Sequence, residues 1–338
     1  MRLLLWACLA LAVGTGPAAA QGTLSLYCAT LVEWCQAMAN GFQAATGTRI
    51  ALNQKSTGEM MAQIRAEAQN PRGDVWWAGQ TDPHLAAAEA DLTQPYRPAA
   101  LDDLHPWARQ QWDQSGGRTV GVAALAIGIG WTRELLAKKG LAPPACWADL
   151  LRPAYRNEIQ MPNPNSSGTA YTVIATLVQL MGEEPAFAYL RAMHPNVNSY
   201  TRSGVAPTRA IARGETALAI GFLQGFMVEQ LAGFPVAMTA PCEGTALGID
   251  SMSIIKGARN LAAARAFYDW ALTPAAQALG ETTGQLHLPS NRKAPLPKGT
   301  PDFGTAKVID YDFARFGRSA ERSRLLARWD RDVGALPR

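Results

Sequence analysis

Between residues 23 and 83 one local pattern occurs three times: a short apolar run, a loop of small residues, then the opening of a helix. Thr23-Leu24-Ser25-Leu26-Tyr27-Cys28 alternates as a strand does, and Thr30-Leu31-Val32-Glu33 has the spacing of a capping box, which predicts a helix to about Ala45. Residues 48–54 read as a second strand. Ser56-Thr57-Gly58-Glu59 is a second capping box, with Met60, Met61, Ile64 and Ala68 behind it at helical spacing. In the third unit Asp74-Val75-Trp76-Trp77-Ala78 is the strand, Gly79-Gln80-Thr81 the loop, and Asp82-Pro83 reads as an N-cap followed by proline at the first helical position. Such alternation predicts an α/β layer with a mostly parallel sheet, because parallel neighbours need a long, usually helical, crossover. Loops leaving the carboxyl ends of those strands open on one side, where ligands sit. Ala29 and Thr30, Ser56 and Thr57, and Gly79 with Gln80 are therefore expected to face one another. Trp76 and Trp77, beside the third loop, could stack on a ligand, but a pair on alternate faces of a strand is more often core.

A fourth strand-to-helix turn lies in Met161-Pro162-Asn163-Pro164-Asn165-Ser166-Ser167-Gly168-Thr169-Ala170-Tyr171. Asn and Pro punctuate the turn, Ser and Thr favour the N-cap, and Ala170, Val173, Ile174, Leu177 and Met181 keep a buried-helix spacing. No charged residue stands between Glu158 and Glu183. The free N–H groups of the first turn, with the hydroxyls of Ser166, Ser167 and Thr169, can hold a carboxylate or phosphate without a lysine. The alternative reading is a core helix that Ser167 or Thr169 merely caps. Residues 119–131 form a long apolar run that reads as a strand leaving one lobe for the next. Gly128-Ile129-Gly130 within it is no dinucleotide fingerprint, since Arg133 stands where a third glycine is needed. Residues 243–255 read as a strand crossing back.

A chain of 338 residues exceeds one ordinary core and predicts two lobes of roughly 100–200 residues. The 31 basic residues outnumber the 27 acidic ones only slightly and are scattered, so no nucleic-acid footprint is present. Arg2, the apolar run of residues 3–13 and Ala18-Ala19-Ala20 have the layout of a secretory leader, with cleavage expected after Ala20 and a mature protein in the periplasm. Four cysteines then remain: Cys28, Cys35, Cys146 and Cys242. In an exported chain they predict disulfides, and of the three possible pairings proximity favours Cys28 with Cys35, leaving Cys146 with Cys242.

With these residues in place, the chain resembles the periplasmic substrate-binding proteins of iron-type ABC importers. The resemblance is carried by Asp74-Val75-Trp76-Trp77 with Thr81-Asp82-Pro83-His84, by residues 165–171, by Tyr200-Thr201-Arg202-Ser203-Gly204, by Ala212-Arg213-Gly214-Glu215 and by Pro241-Cys242-Glu243-Gly244. It is closest to the sugar-phosphate-binding branch, whose members share both disulfides. The resemblance implies a two-lobed α/β fold of the type II binding-protein kind, each lobe a mixed sheet flanked by helices with a cleft between them. Residues 21–127 and 246–338 are expected in one lobe and residues 128–245 in the other. It further implies capture of a small anionic organic compound by lobe closure, delivery to a membrane permease with its ATPase, a monomeric state, and no cofactor. The ligand set it implies is Ala29, Thr30, Ser56, Thr57, Gln80, Ser166, Ser167, Thr169, Ser203, Gln224 and Glu243. Ferric relatives carry two adjacent tyrosines after the strand that follows Gly-Glu, whereas this chain has Leu223-Gln224-Gly225 there, and neither Gln nor Gly supplies an anionic oxygen for a hard ferric ion. The sugar-phosphate branch usually has His-Asp at the same place, so the anionic end of the ligand is better matched than its sugar end. Ferric binding, with Tyr171 and Tyr200 as remaining tyrosines, is the alternative.

An exported enzyme is the rival from another class. The chain has no G-x-S-x-G elbow, H-E-x-x-H helix or Walker A loop, and its histidines, His84, His105, His194 and His287, lie far apart. A site rich in hydroxyls and backbone donors favours binding over proton transfer.

Overall fold

The computed structural model describes residues 22–300 and 306–337; the expected leader and its cleavage point lie outside them. Strand β1 (Leu24–Cys28) leads to helix α1 (Val32–Thr46), β2 (Ile50–Gln54) to α2 (Thr57–Ala66), and β3 (Val75–Gln80) to α3 (Thr81–Glu89). The short strand β4 (Thr93–Gln94) and α4 (Pro106–Gln114) precede the long strand β5 (Val120–Thr132), which runs into α5 (Arg133–Lys138). Then come β6 (Ile159–Pro162), α6 (Gly168–Met181), α7 (Glu183–Met193), β7 (Val197–Thr201), α8 (Ala206–Ala212), β8 (Leu218–Phe222) and α9 (Leu223–Leu231). The chain ends through β9 (Val236–Thr239), β10 (Leu247–Ile255), α10 (Leu261–Ala271), α11 (Pro274–Thr282), β11 (Leu288–Pro289), α12 (Phe313–Phe316) and α13 (Ser319–Trp329).

β1 pairs in parallel with β2 and β3, and β10 runs antiparallel between β3 and the first half of β5. The second half of β5 pairs antiparallel with β8, which continues into the parallel strands β6 and β7. β5 thus belongs to two sheets, residues 120–126 to the first and residues 127–132 to the second. The returning chain crosses beside it: Thr245 Oγ1 donates to the Ile127 carbonyl at 2.7 Å, and the Ile127 N–H donates to the Ala246 carbonyl at 3.2 Å.

Each sheet is filled by its own apolar cluster. Leu26, Trp34, Phe42, Trp77 and Phe267 pack on one face of the first sheet, while Tyr27, Met60 and Trp76 pack on the other. The adjacent tryptophans therefore point to opposite faces, as the strand period of two requires. Trp76 stacks on His84 at 3.7 Å, and His84 is tied on both nitrogens, to Ser253 Oγ at 2.9 Å and the Ala78 carbonyl at 3.2 Å. Burial pushes the His84 pKa down to about 3, which keeps the ring neutral in this stack. In the second half Trp147, Tyr171, Ile174, Phe187 and Leu190 form the core. The C-terminal residues Phe313, Phe316, Leu325 and Trp329 join that same cluster, while Ser319 bonds back to Glu89 and Ala86 of α3. The tail therefore straps both halves, whereas residues 246–338 were expected as a whole with the first lobe. An amphipathic helix follows the larger unfilled apolar face, and position in the sequence does not determine which lobe supplies it.

Both disulfides form as expected, Cys28 with Cys35 and Cys146 with Cys242. The second closes a loop of 96 residues, for which chain entropy stabilises the fold by about 2–5 kcal/mol. Replacing Cys146 and Cys242 together by Ser should lower the urea midpoint accordingly. Ligand affinity should be unchanged in the same variant, because neither sulfur lines the cavity described next.

Candidate functional site

The helix-start residues Leu31 of α1, Ser56 of α2, Gln80 of α3, Ser167 of α6, Val205 of α8 and Phe222 of α9 all line one cavity of about 270 Å³. The topology causes this convergence. In each half the strands that feed these helices end on the same edge, and the two edges face each other across β5. The first-turn N–H groups of a helix have no partner inside it, and side-chain caps usually take them. Here no side-chain cap bond is made at α1, α3, α6, α8 or α9. The cavity therefore concentrates donors and positive dipole ends without relying on cationic side chains.

The capping box predicted at Thr30 does not form. Helix α1 starts at Val32 with Leu31 at the N-cap, and the Thr30 carbonyl accepts from Gln54 Nε2 at 2.8 Å. Asp82 is likewise no cap: Gln80 holds that position, and buried Asp82 accepts from Tyr311 Oη at 2.8 Å. At α2 the box does form, in the sense that the Ser56 hydroxyl and N–H both donate to Glu59, at 2.7 and 3.3 Å. The Ser56 hydroxyl proton is thereby committed away from the cavity. Ser167 occupies the N-cap of α6 but makes no cap bond, so the reading of a merely capped core helix does not hold there.

Ala29, Thr30, Ser56, Thr57, Gln80, Ser167, Thr169, Ser203 and Gln224 line the cavity together. Two expected residues do not. Ser166 faces a shallow groove on the outer side, where its hydroxyl donates to the Arg202 carbonyl at 2.8 Å. The Glu243 carboxylate accepts from the Trp147 and Ala148 N–H groups at 2.8 and 2.9 Å. It caps the turn that follows Cys146, beside the disulfide. Tyr171 donates to the Phe316 carbonyl at 2.7 Å and burial raises its pKa, while Tyr200 bonds His194 at 2.9 Å. Neither tyrosine lines the cavity, which leaves a ferric ion without a phenolate there.

Close packing defines part of the cavity around Gly79, Gly168 and Gly204. Gly79, at φ +89°, faces the Thr57 hydroxyl, which a Cβ would approach to 2.7 Å; Gly168 stands against Gln80, whose Cβ a side chain there would meet at 2.9 Å. Thr169 and Ser167 hydroxyls lie against Gly204, 2.5 and 2.9 Å from where its Cβ would be. Backbone and hydroxyl donors from both halves thus meet over a few ångströms.

The lining also contains residues that sequence reasoning passed over. Leu125, Phe222 and Val228 are apolar, Lys55, Arg209, Glu33, Glu229 and Asp250 are charged, and His287 comes from the loop after α11. Asp250 is buried, its Oδ1 accepts from Gln80 Nε2 at 2.8 Å, and burial lifts its pKa to about 7. Glu229 is also raised by burial, against the lowering effect of Arg209 and Arg213. His287 sits beside Trp34 with its pKa pushed down to about 3 by burial. The signal for Asp250 was a lone acid in the apolar run Leu247-Gly248-Ile249-Asp250-Ser251-Met252. The two halves meet directly around the cavity rim. The Gly58 N–H donates to the Ser166 carbonyl at 3.0 Å, Arg209 pairs with Glu33 at 3.0 Å, and Arg202 pairs with Glu59.

A Cβ at Gly58 would lie 2.5 Å from the Asn165 carbonyl oxygen and 2.8 Å from that of Ser166, both in the other half. Gly58→Ala should therefore cost the closed arrangement about 1–3 kcal/mol by overpacking. It should not weaken α2 itself, since Ala is the better helix former. Solution scattering should report a more open average shape, with an unchanged or higher melting temperature.

The chain matches the family described as bacterial extracellular solute-binding protein over residues 82–316. An uncharacterised protein of Haemophilus influenzae is 37% identical over 321 residues, which cover 94% of this chain and 93% of that one. Among solved structures, the periplasmic binding protein AfuA of Actinobacillus pleuropneumoniae, with exogenous fructose-6-phosphate bound, superposes with a TM-score of 0.91 at 38% identity, covering 94% of this chain and 100% of that one. Iron-bound HitA of Pseudomonas aeruginosa shares the fold, with a TM-score of 0.77 at 20% identity over 92% of this chain and 99% of its own. The two-lobed α/β architecture, the convergent helix starts and this match together make the chain a member of the bacterial extracellular solute-binding protein family, a solute-binding component of ABC import.

Proposed function

We propose that the protein captures a small organic phosphate, a sugar phosphate or a related organophosphate, in the cavity between its lobes. The observation that carries this reading is the convergence of helix starts without side-chain caps, together with the Ser167, Thr169 and Thr57 hydroxyls, on one cavity. A phosphate offers several acceptor oxygens to such a cradle and matches its dipole field. Leu125, Phe222 and Val228 give the rest of the ligand an apolar wall. The likeness to a protein with fructose-6-phosphate bound supports the same class. The ferric alternative lacks support from the cavity, since its tyrosines lie elsewhere.

In this reading one lobe comprises residues 21–127 with the strands after residue 246, and the other residues 128–245. They pivot where β5 and the returning chain cross, near Gly128 and Thr245. Each lobe supplies part of the cradle, so a bound phosphate favours the closed state. The loaded protein, a monomer cleaved after Ala20 and free in the periplasm, delivers the compound to a permease and its ATPase. Its role is capture without turnover.

Calorimetry with fructose 6-phosphate and with ferric citrate tests the reading: heat is expected from the phosphate ester, and saturable heat from ferric citrate alone would reverse the assignment. Thr169→Val should weaken phosphate-ester binding by about 1–3 kcal/mol, because a charge-assisted hydrogen bond is removed from a buried position. The melting temperature without ligand should move little, as the two side chains are similar in volume.

A further inference from the structure

Where the crossing strands run beside the cavity, Asp250 of β10 joins the lining next to Gln80, and Gln224 joins it from the first turn of α9. Asp250 stands at a register irregularity in β10 on both sides, toward β3 and toward β5. Bulges of this kind re-aim a side chain, and they recur beside functional sites. Thr81 fixes the backbone on either side of it, donating to the Ile249 carbonyl at 2.8 Å and lying 2.6 Å from Ser251 Oγ. Among the described residues the carboxyl of Asp250, which lines the cavity, has one hydrogen-bond partner, the Gln80 side chain. Gln224, on the same lining, is fully buried; its Oε1 accepts from the Ala126 N–H at 3.1 Å, and its Nε2 has no partner among the described residues.

The charge on the lining is the second observation. Arg209 already pairs with Glu33 across the cleft, which leaves Lys55 against Asp250 and Glu229. With two acids and one unpaired cation on the lining, a phosphate compound that brings positive charge of its own matches the cavity better than one that does not. A buried carboxylate with a single neutral hydrogen bond likewise lacks compensation. Resting on the phosphate reading above, we propose that Asp250 is a specificity-determining residue that selects phosphate compounds that also carry a protonated nitrogen. The ammonium offsets the Asp250 charge, and Gln224 Nε2 donates to a neighbouring ligand oxygen. A hydroxyl at the same place supplies a hydrogen bond but no charge, which makes it the weaker partner.

The test uses matched pairs: phosphoethanolamine against 2-hydroxyethyl phosphate, and glucosamine 6-phosphate against glucose 6-phosphate, titrated calorimetrically at pH 8. At least one amine is expected to bind ten times or more tighter than its hydroxyl twin. Asp250→Asn, which keeps an oxygen for Gln80 Nε2, should bring that ratio close to one while the hydroxyl twin binds as well or better. In the unmutated protein the ratio itself should depend on pH. With the Asp250 pKa at about 7, the carboxylate is present above that pH, so the preference should shrink as pH falls from 8 to 6. The pH series uses the phosphoethanolamine pair, whose amine stays protonated from pH 6 to 8; the phosphate titrates in both members, and the other titratable groups of the lining, Glu33, Lys55, Arg209, Glu229 and His287, are common to both measurements. Equal or tighter binding of both hydroxyl twins overturns this inference alone, as does an amine preference that survives in Asp250→Asn or does not change with pH. Absence of heat from every phosphate compound overturns the phosphate reading and this inference with it.

Discussion

The amide groups at the start of a helix have no acceptor within the helix, and this fold leaves several such starts without a side-chain cap around one cavity. That arrangement is unfavourable in a dry interior unless water or a ligand supplies acceptors. It also explains the small residues nearby. Gly79, Gly168 and Gly204 let backbone from different loops approach so closely that a single Cβ at any of them would meet a neighbour within 3.0 Å. Larger residues would cover the amides, and lysines would hold an anion more tightly through direct charge. A cradle of neutral dipoles retains geometric selectivity while leaving release to the opening of the lobes.

The position of the cradle follows from strand topology. β5 spends its first half in one sheet and its second half in the other, so the carboxyl edges of the parallel strands on both sides face a common gap. Few connections cross that gap besides β5, the returning chain beside Ile127, and the C-terminal strap. The strap matters to the mechanics. Trp329 and Phe316 pack with the second-half core, yet Ser319 is tied to α3 of the first half. Arg322 lies over the Tyr171 ring at 5.2 Å in the same region. Relative motion of the lobes must flex this tail as well as the crossing strands.

Much of the fold was legible because it depends on local periodicity. The three strand-helix units, the long strand near residue 120 and the helix after Ser167 were all readable from apolar spacing and turn residues. The cradle side of the cavity was legible for the same reason, since loops at strand ends are positioned by the sheet. Ser166 was misplaced because adjacent serines in a turn point in different directions, and only the bond from its hydroxyl to the Arg202 carbonyl shows which one faces outward. Glu243 was misplaced because a carboxylate beside a disulfide reads the same whether it serves a ligand or two backbone amides. Asp250, Arg209 and the loop carrying His287 were not legible. They come from a mid-strand position, a helix flank and a loop, distant in the sequence, and no periodic signal links them.

The charge arrangement separates affinity from discrimination. Neutral donors at the cradle accept any tetrahedral oxyanion of the right size, so by themselves they distinguish poorly among phosphate esters. Asp250 and Gln224 act the other way, as a buried acid held by one glutamine and an amide donor left open. A ligand that fails to satisfy those two groups leaves them desolvated and unpaired, which costs more than the bond it would have formed. On the proposal above, discrimination comes from Asp250 and Gln224, which join the lining beside the helix starts, at Gln80 and in the first turn of α9, while closure is favoured by the donors that the helix starts bring from both lobes.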